Sequence, residues 1–344
     1  MVAADAGVES EREDGTMTST ITMTRHLLHG IGAAALAAVL FAGATFPAFA
    51  QEQAADTASA DTGIFALEAA AEPPLFDDPG AAVEAFKKAL ADNDFDGFAS
   101  LLGLDAAKLK ESEGVTDTFA QIREGAARKI TVVDIDNGKI LQIGDKLWPF
   151  PFPLLKGDED GKWAFDTQAG LEEIVNRRVG ENELQTIATL RDYVEAQKDY
   201  AELDRDGDGV LEFAQRLISS EGATDGLYWP ADPVNGESPA GGIDNAELED
   251  AAAGEGYFGY RYKILTGQGD NIAGGAYDYV INGNMIGGFG LLAWPVAYGE
   301  TGVHTFAVNQ HGIVYEIDLG PATDQIVKYI DTFNPDDSWT VVDD

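Results

Sequence analysis

The chain has 344 residues, 45% of them hydrophobic, with 22 basic against 60 acidic side chains and a formal charge of -38. That apolar content suffices for a substantial core, and the length favours two modest domains. The charge repels phosphate backbones and anionic lipid surfaces, which sets nucleic acid aside as a partner and favours cations; the acidity itself reads as a solubility adaptation. The chain has no cysteine, so disulfides, thiol chemistry and thiolate metal sites are excluded.

The N-terminal region has a cationic start at Arg25, an apolar run from Ile31 to Phe46, and Ala48-Phe49-Ala50 before Gln51. This is the layout of an export signal cleaved after Ala50. The run is shorter than the ~20 apolar residues a membrane span needs, and Pro47 interrupts it. Residues 1–50 therefore read as a signal peptide with an over-long start, Met17 or Met23 being the better starting points. The expected location is periplasmic or secreted, with no membrane span after cleavage. Residues 51–75, rich in Ala, Glu, Asp and Thr, read as a disordered acidic linker.

Residues 76–166 read as an N-terminal α+β domain. Asp78 caps a helix that starts at Pro79 and has Ala82, Val83, Phe86, Ala89 and Leu90 on one face. A second helical stretch is predicted over Phe98 to Lys110. Strands follow in an antiparallel meander, with Asn137-Gly138 as a hairpin signal between two apolar runs. In "WPFPFP" the prolines confine the segment to a sheet edge, and Trp148, Phe150 and Phe152 form an aromatic row that seals the domain core.

Residues 167–203 read as two connecting helices, the first ended by Gly180 and the second capped by Asn182 with Gln185 in the reciprocal position. Leu184, Ile187, Leu190, Val194, Gln197 and Ala201 recur at spacings of three and four, so the second helix has one packing face. Leu211 to Ser219 is predicted to form a further short helix. Residues 216–340 read as a C-terminal antiparallel β domain on which the long helix packs. In its last strand Ile313, Tyr315, Ile317 and Leu319 are expected on one buried face.

Between these parts lies "DRDGDGVLEFAQ", residues 204–215. Its spacing is that of an EF-hand-like calcium loop: Asp204, Asp206 and Asp208 at positions 1, 3 and 5, Gly209 at 6, the Val210 carbonyl at 7, and Glu212 at 9. At position 12 Gln215 replaces the usual bidentate glutamate, so affinity should fall to the weak extracellular range of about 10⁻⁴ to 10⁻³ M. The alternative is a solvated interhelical turn made by Asp and Gly. Mutual repulsion of the carboxylates favours calcium, with a structural role.

Catalytic signals are sparse. Beyond the leader the only histidines are His304 and His311, without a metal-ligand spacing, and there is no nucleophile elbow or P-loop. The favoured reading is a non-catalytic binding or scaffolding protein of the cell envelope, its partner an unidentified envelope protein or polymer. The alternative is a periplasmic hydrolase with an acid/base carboxylate site in an interdomain cleft. Tyr257, Tyr260, Tyr277 and Tyr279 exposed on an open sheet face would favour binding, and a cleft with converging carboxylates would favour catalysis.

The blocks "WPFPFPLL", "KWAFDTQAG", "RRVGENEL", "YVEAQKDYAELDRDGDGVLEFAQRL" and "GGAYDYVINGNMIGGFGLLAWP" resemble a family of exported Gram-negative bacterial proteins catalogued only as a domain of unknown function, over roughly Phe76 to Trp339. That resemblance implies an envelope location and adds no activity. The C-terminal half is similar to type IV pilin-like and pseudopilin globular domains, through Ala196, Gln197 and Tyr200 on the helix and Thr301-Gly302, Phe306 and Gly312-Ile313-Val314 in the strands. It implies a long helix packed on a small antiparallel sheet. Pilins begin that helix with an uncleaved apolar span, whereas here a soluble domain precedes it.

Overall fold

A computed structural model describes residues 63–343, apart from 113, 159, 206, 232 and 242–255. The expected signal peptide and the first part of the linker lie outside the described residues. From Gly63 onward the expected linker is packed: Ile64 and Leu67 rest against the first core, and the Asp105 N–H donates to the Leu67 carbonyl at 2.8 Å.

The chain is α+β. Helix α1, Pro79–Ala91, starts as its sequence requires, with the Asp78 carboxylate accepting from the Ala81 N–H at 3.0 Å and the five expected residues buried. The expected stretch Phe98 to Lys110 is two helices, α2 at Phe95–Leu101 and α3 at Ala106–Glu111. Gly103 separates them in the left-handed region, at φ +70°, where a Cβ would lie 2.2 Å from Thr167 Oγ1. Helix α4, Val115–Arg128, was not anticipated.

Five strands follow: β1 Ile130–Ile135, β2 Gly138–Ile143, β3 Trp148–Pro149, β4 Leu154–Lys156 and β5 Trp163–Phe165. They form an antiparallel sheet in the order β1-β2-β4-β5, with β3 paired to β2. Ile135 pairs with Gly138, so the hairpin turns on Asp136-Asn137, one residue earlier than the motif suggests. Gly138 serves packing, because a Cβ there would lie 2.5 Å from the Leu154 carbonyl oxygen. Phe150 and Phe152 are buried, and the Phe150 ring lies 5.0 Å from that of Phe86 and 6.1 Å from that of Phe98. The aromatic row seals this core, as its sequence indicates.

Helix α5 spans Thr167–Tyr200 without a break. The two expected helices are one, about 50 Å long at 1.5 Å per residue. Its first turns bury Leu171 and Ile174 in the core built from α1 to α4 and the first sheet. Its last turns bury Leu190, Tyr193, Val194, Ala196 and Tyr200 in a second core. Gly180 and Asn182 therefore sit between two anchored stretches. Asn182 uses its side chain elsewhere, donating from Nδ2 to the Thr301 carbonyl at 2.8 Å.

The second sheet comprises β6 Tyr260–Leu265, β11 Gly290–Pro295, β12 His304–Asn309, β13 Tyr315–Asp318 and β14 Thr340–Val341, in the antiparallel order β14-β13-β12-β11-β6. Between β6 and β11 come two short ladders, β7 Gly267–Gln268 with β8 Tyr277–Asp278, and β9 Val280–Ile281 with β10 Asn284–Met285. Phe306 and Val308 of β12 face α5, whereas Ala307 faces a third cluster with Leu265, Leu292, Val327 and Phe333. The sheet is thus buried on both faces, not one. In the last hairpin Ile313 is exposed and Val314 is buried toward the helix side, while Tyr315 and Leu319 pack on the third cluster. Among the described residues no helix is long and apolar enough to cross a membrane.

Helix continuity has a direct test at Gly180. A Cβ there would meet nothing within 4 Å, and its backbone is ordinary helix. Gly180→Ala is expected to raise stability by about 0.5–1 kcal/mol in chemical denaturation. Had Gly180 ended a helix in the left-handed region, the same change would destabilise.

Candidate functional site

The acidic loop leaves the C-terminus of α5 at a fixed angle because the last turns of the helix reach across to hold it. Gln197 is fully buried. Its Oε1 accepts from the Ala214 N–H at 2.8 Å, and its Nε2 donates to the Ala214 carbonyl at 2.8 Å and to the Tyr193 hydroxyl oxygen at 3.0 Å. Both backbone groups of a buried residue are thereby satisfied by one amide. The Phe213 N–H donates to the Met285 carbonyl at 2.9 Å. With these groups committed, the expected helix at Leu211 to Ser219 does not form, and the segment runs as irregular chain. The loop is flanked by a helix on one side only.

Each loop residue can be placed. Asp204 accepts from the Gly207 N–H at 2.7 Å on Oδ1 and from the Gly209 N–H at 3.0 Å on Oδ2, and both glycines have positive φ. Asp206 lies outside the described residues. Asp208 accepts from the Val210 N–H at 2.7 Å and, through its other oxygen, from Asn284 Nδ2 at 2.7 Å. Glu212 Oε2 accepts from the Met285 N–H at 3.0 Å. Gln215 turns its amide outward, Nε2 donating to the Gly283 carbonyl at 2.7 Å. Among the described residues no three carboxylate or imidazole groups converge as a metal cluster would require. Asp208, Glu212 and Gln215 converge instead on the β9–β10 hairpin.

Arg205, between the first two aspartates, was not singled out from the sequence. Its guanidinium lies 5.5 Å from the Tyr200 ring centre and 5.3 Å from that of Trp229, stacked between two aromatic faces. This fixes one positive charge beside the carboxylates.

A second polar cluster was also missed, because its members stand 121 positions apart. Glu183, mid-way along α5, accepts on Oε1 from the N–H groups of Val303 at 2.8 Å and His304 at 2.9 Å. The His304 ring lies with Nδ1 3.2 Å from Glu183 Oε2. Tyr260 donates its hydroxyl to the His304 carbonyl at 3.0 Å, in space that Gly302 leaves open: a Cβ there would lie 2.0 Å from the phenol oxygen. Arg178 and Asn182 hold the Glu300 and Thr301 carbonyls of the same loop. Burial tends to raise the Glu183 carboxyl, but the His304 ring and the two N–H donors prevail and hold it below its ordinary value. The Glu183 hydrogen bond raises His304 above its ordinary value against the opposing effect of burial, assisted by Glu316 and Asp318. With its carboxylate this fully engaged, Glu183 clamps helix to sheet.

The tyrosines expected on an open face divide. Tyr260 and Tyr279 are fully buried, Tyr257 is half-buried, and only Tyr277 is exposed. An aromatic binding face of four tyrosines is not present.

A family model described as "Protein of unknown function (DUF2950)" matches residues 74–342. The chain belongs to that family. The match begins just ahead of α1 and runs through β14, so the loop, both sheets and the Glu183 cluster of this DUF2950 protein all lie within it. No curated protein and no solved structure matches it.

Two outcomes are expected. Gln197→Leu leaves the buried N–H and carbonyl of Ala214 unpaired and should cost about 2 kcal/mol or more in denaturant unfolding. The Glu183–His304 contribution should be greatest between about pH 4.5 and 6.5. Above that range it is lost as pH rises through the raised folded-state value of His304; below it, as pH falls through the lowered value of Glu183. Melting temperature against pH should fall on the alkaline side in the wild type and flatten there in His304→Gln.

Proposed function

We propose that this DUF2950 protein is a non-catalytic binding or scaffolding component of the cell envelope, periplasmic or secreted, whose acidic loop takes calcium as a structural ion. The observation that carries the reading is the way the loop is wired. Asp208 and Glu212 reach Asn284 and Met285 of the β9–β10 hairpin, while Asp204 and Asp208 are curled onto the loop's own N–H groups. A carboxylate oxygen has two acceptor positions, so one backbone N–H on it is compatible with a cation on the other. Asp204, Asp206, Asp208, Glu212 and the Val210 carbonyl offer the hard oxygen donors that calcium prefers, and Gln215 can add an amide oxygen. An ion here would relieve the repulsion among the aspartates and stiffen the connection between α5 and the second sheet. The signal-like N-terminus supports an exported setting, where calcium is abundant enough for a weak site.

Calorimetric titration of the protein with calcium tests the reading. Saturable binding in the range of about 10⁻⁴ to 10⁻³ M, abolished in both Asp206→Ala and Asp208→Ala, is expected, together with a higher melting temperature in calcium than in EDTA. No binding heat at millimolar calcium and an unchanged melt would remove calcium from the account.

A further inference from the structure

The C-terminal turns of α4 and the turn between β2 and β3 enclose a cavity of about 180 Å³. Its apolar walls are Ile122 of α4, Ile143 of β2 and the half-buried Trp148 of β3. Two more of its lining residues are glycines that let helix and turn approach closely. A Cβ on Gly125 would lie 2.9 Å from Ile143 Cγ2, and one on Gly144, at φ +74°, 3.7 Å from the Gly125 Cα. The turn is fixed in advance: the Gly144 N–H donates to the Lys129 carbonyl at 2.8 Å, and the Leu147 N–H to the Gly144 carbonyl at 3.1 Å. Leu147 is held at φ +55°, in the left-handed region that L side chains avoid and that recurs at ligand clamps. An apolar cavity of about 150 Å³ suffices to take up benzene, so a body the size of one ring fits here.

The charge at its mouth runs against that of the chain. Residues 121–129 and 143–148, which build the cavity, carry the cations Arg123, Arg128, Lys129 and Lys146 against the acids Glu124 and Asp145, whereas the whole chain has 22 basic and 60 acidic residues. Screening over about 8 Å at physiological ionic strength lets this local excess prevail over distant acids. Arg128 is engaged by both acids, at 2.7 Å from Glu124 and 3.5 Å from Asp145, and Arg123 donates to Asn93. Lys146 lines the cavity and is exposed, and its ammonium makes no hydrogen bond or ion pair among the described residues. We propose that the cavity binds a small monocarboxylate with a compact apolar body, about the size of one phenyl ring. The body lies against Ile122, Ile143 and Trp148, and the carboxylate accepts from Lys146 at the mouth. Apolar walls then supply the affinity and one polar group the orientation. The site shares no residue with the acidic loop, and its occupancy does not depend on calcium there.

Nuclear magnetic resonance of the isotope-labelled full chain, titrated with phenylacetate and separately with uncharged benzyl alcohol, tests this. Saturable shifts centred on the Gly125 and Gly144 amides and the Trp148 indole N–H are expected with phenylacetate, at a dissociation constant of about 1 mM or below. Benzyl alcohol should shift the same groups but bind about three- to fivefold more weakly, the worth of one exposed charge pair. Lys146→Ala should weaken phenylacetate by that factor and leave benzyl alcohol unchanged, which also confirms that the cavity is intact in the variant. Lys146→Arg should retain the preference for phenylacetate. Shifts that do not saturate or that lie elsewhere, equal affinity for the two compounds, or phenylacetate binding unchanged in Lys146→Ala would each overturn the proposal.

Discussion

One helix sets the geometry of everything else. Over its 34 residues α5 enters the first core with Leu171 and Ile174 and the second with Leu190, Tyr193, Val194 and Tyr200. Each such side chain contributes roughly 1.5–3 kcal/mol on burial. Together these anchors outweigh the ~1 kcal/mol that Gly180 costs in a helix interior. Because both anchored stretches belong to one rigid element, the spacing between the two sheets follows from the helix rise.

Polar side chains on the same helix then turn this rod into a frame. Glu183 gathers the N–H groups of Val303 and His304 at the start of β12, and Gln197 gathers both backbone groups of Ala214. Both lie on the stretch after Gly180 and are directed at backbone groups outside their own helix. The acidic loop is suspended between Tyr200 and Gln197 on one side and the β9–β10 hairpin on the other. An ion in the loop would therefore act on a joint already assembled by hydrogen bonds, which is consistent with a weak structural site.

Much of this is legible in the sequence wherever local chemistry decides the outcome. Asp78-Pro79 begins a helix because cap and φ are both local, and Phe150 and Phe152 are buried because alternating prolines leave them one side to face. The misreadings occur where distant contacts prevail. Gly180-Glu181-Asn182 has the composition of a helix end and a new cap, yet Asn182 serves Thr301 instead of the backbone of its own turn. Leu211 to Ser219 has a helical pattern, but Gln197 and Met285 claim its backbone groups. The acidic loop was visible because its ligand spacing is contiguous. The Glu183–His304–Tyr260 cluster was not, since it joins three elements far apart in the chain and has no motif. Its one local signal is that Glu183 stands four and seven residues before Ile187 and Leu190, in register with the packing face.

Hydrogen exchange along α5 tests the central claim most directly. A single frame implies slow exchange of the amides from Leu171 to Tyr200, with Val179 to Glu183 protected to the same degree as the anchored turns on either side. Fast exchange confined to Gly180, Glu181 and Asn182 would divide the helix in two and contradict the account.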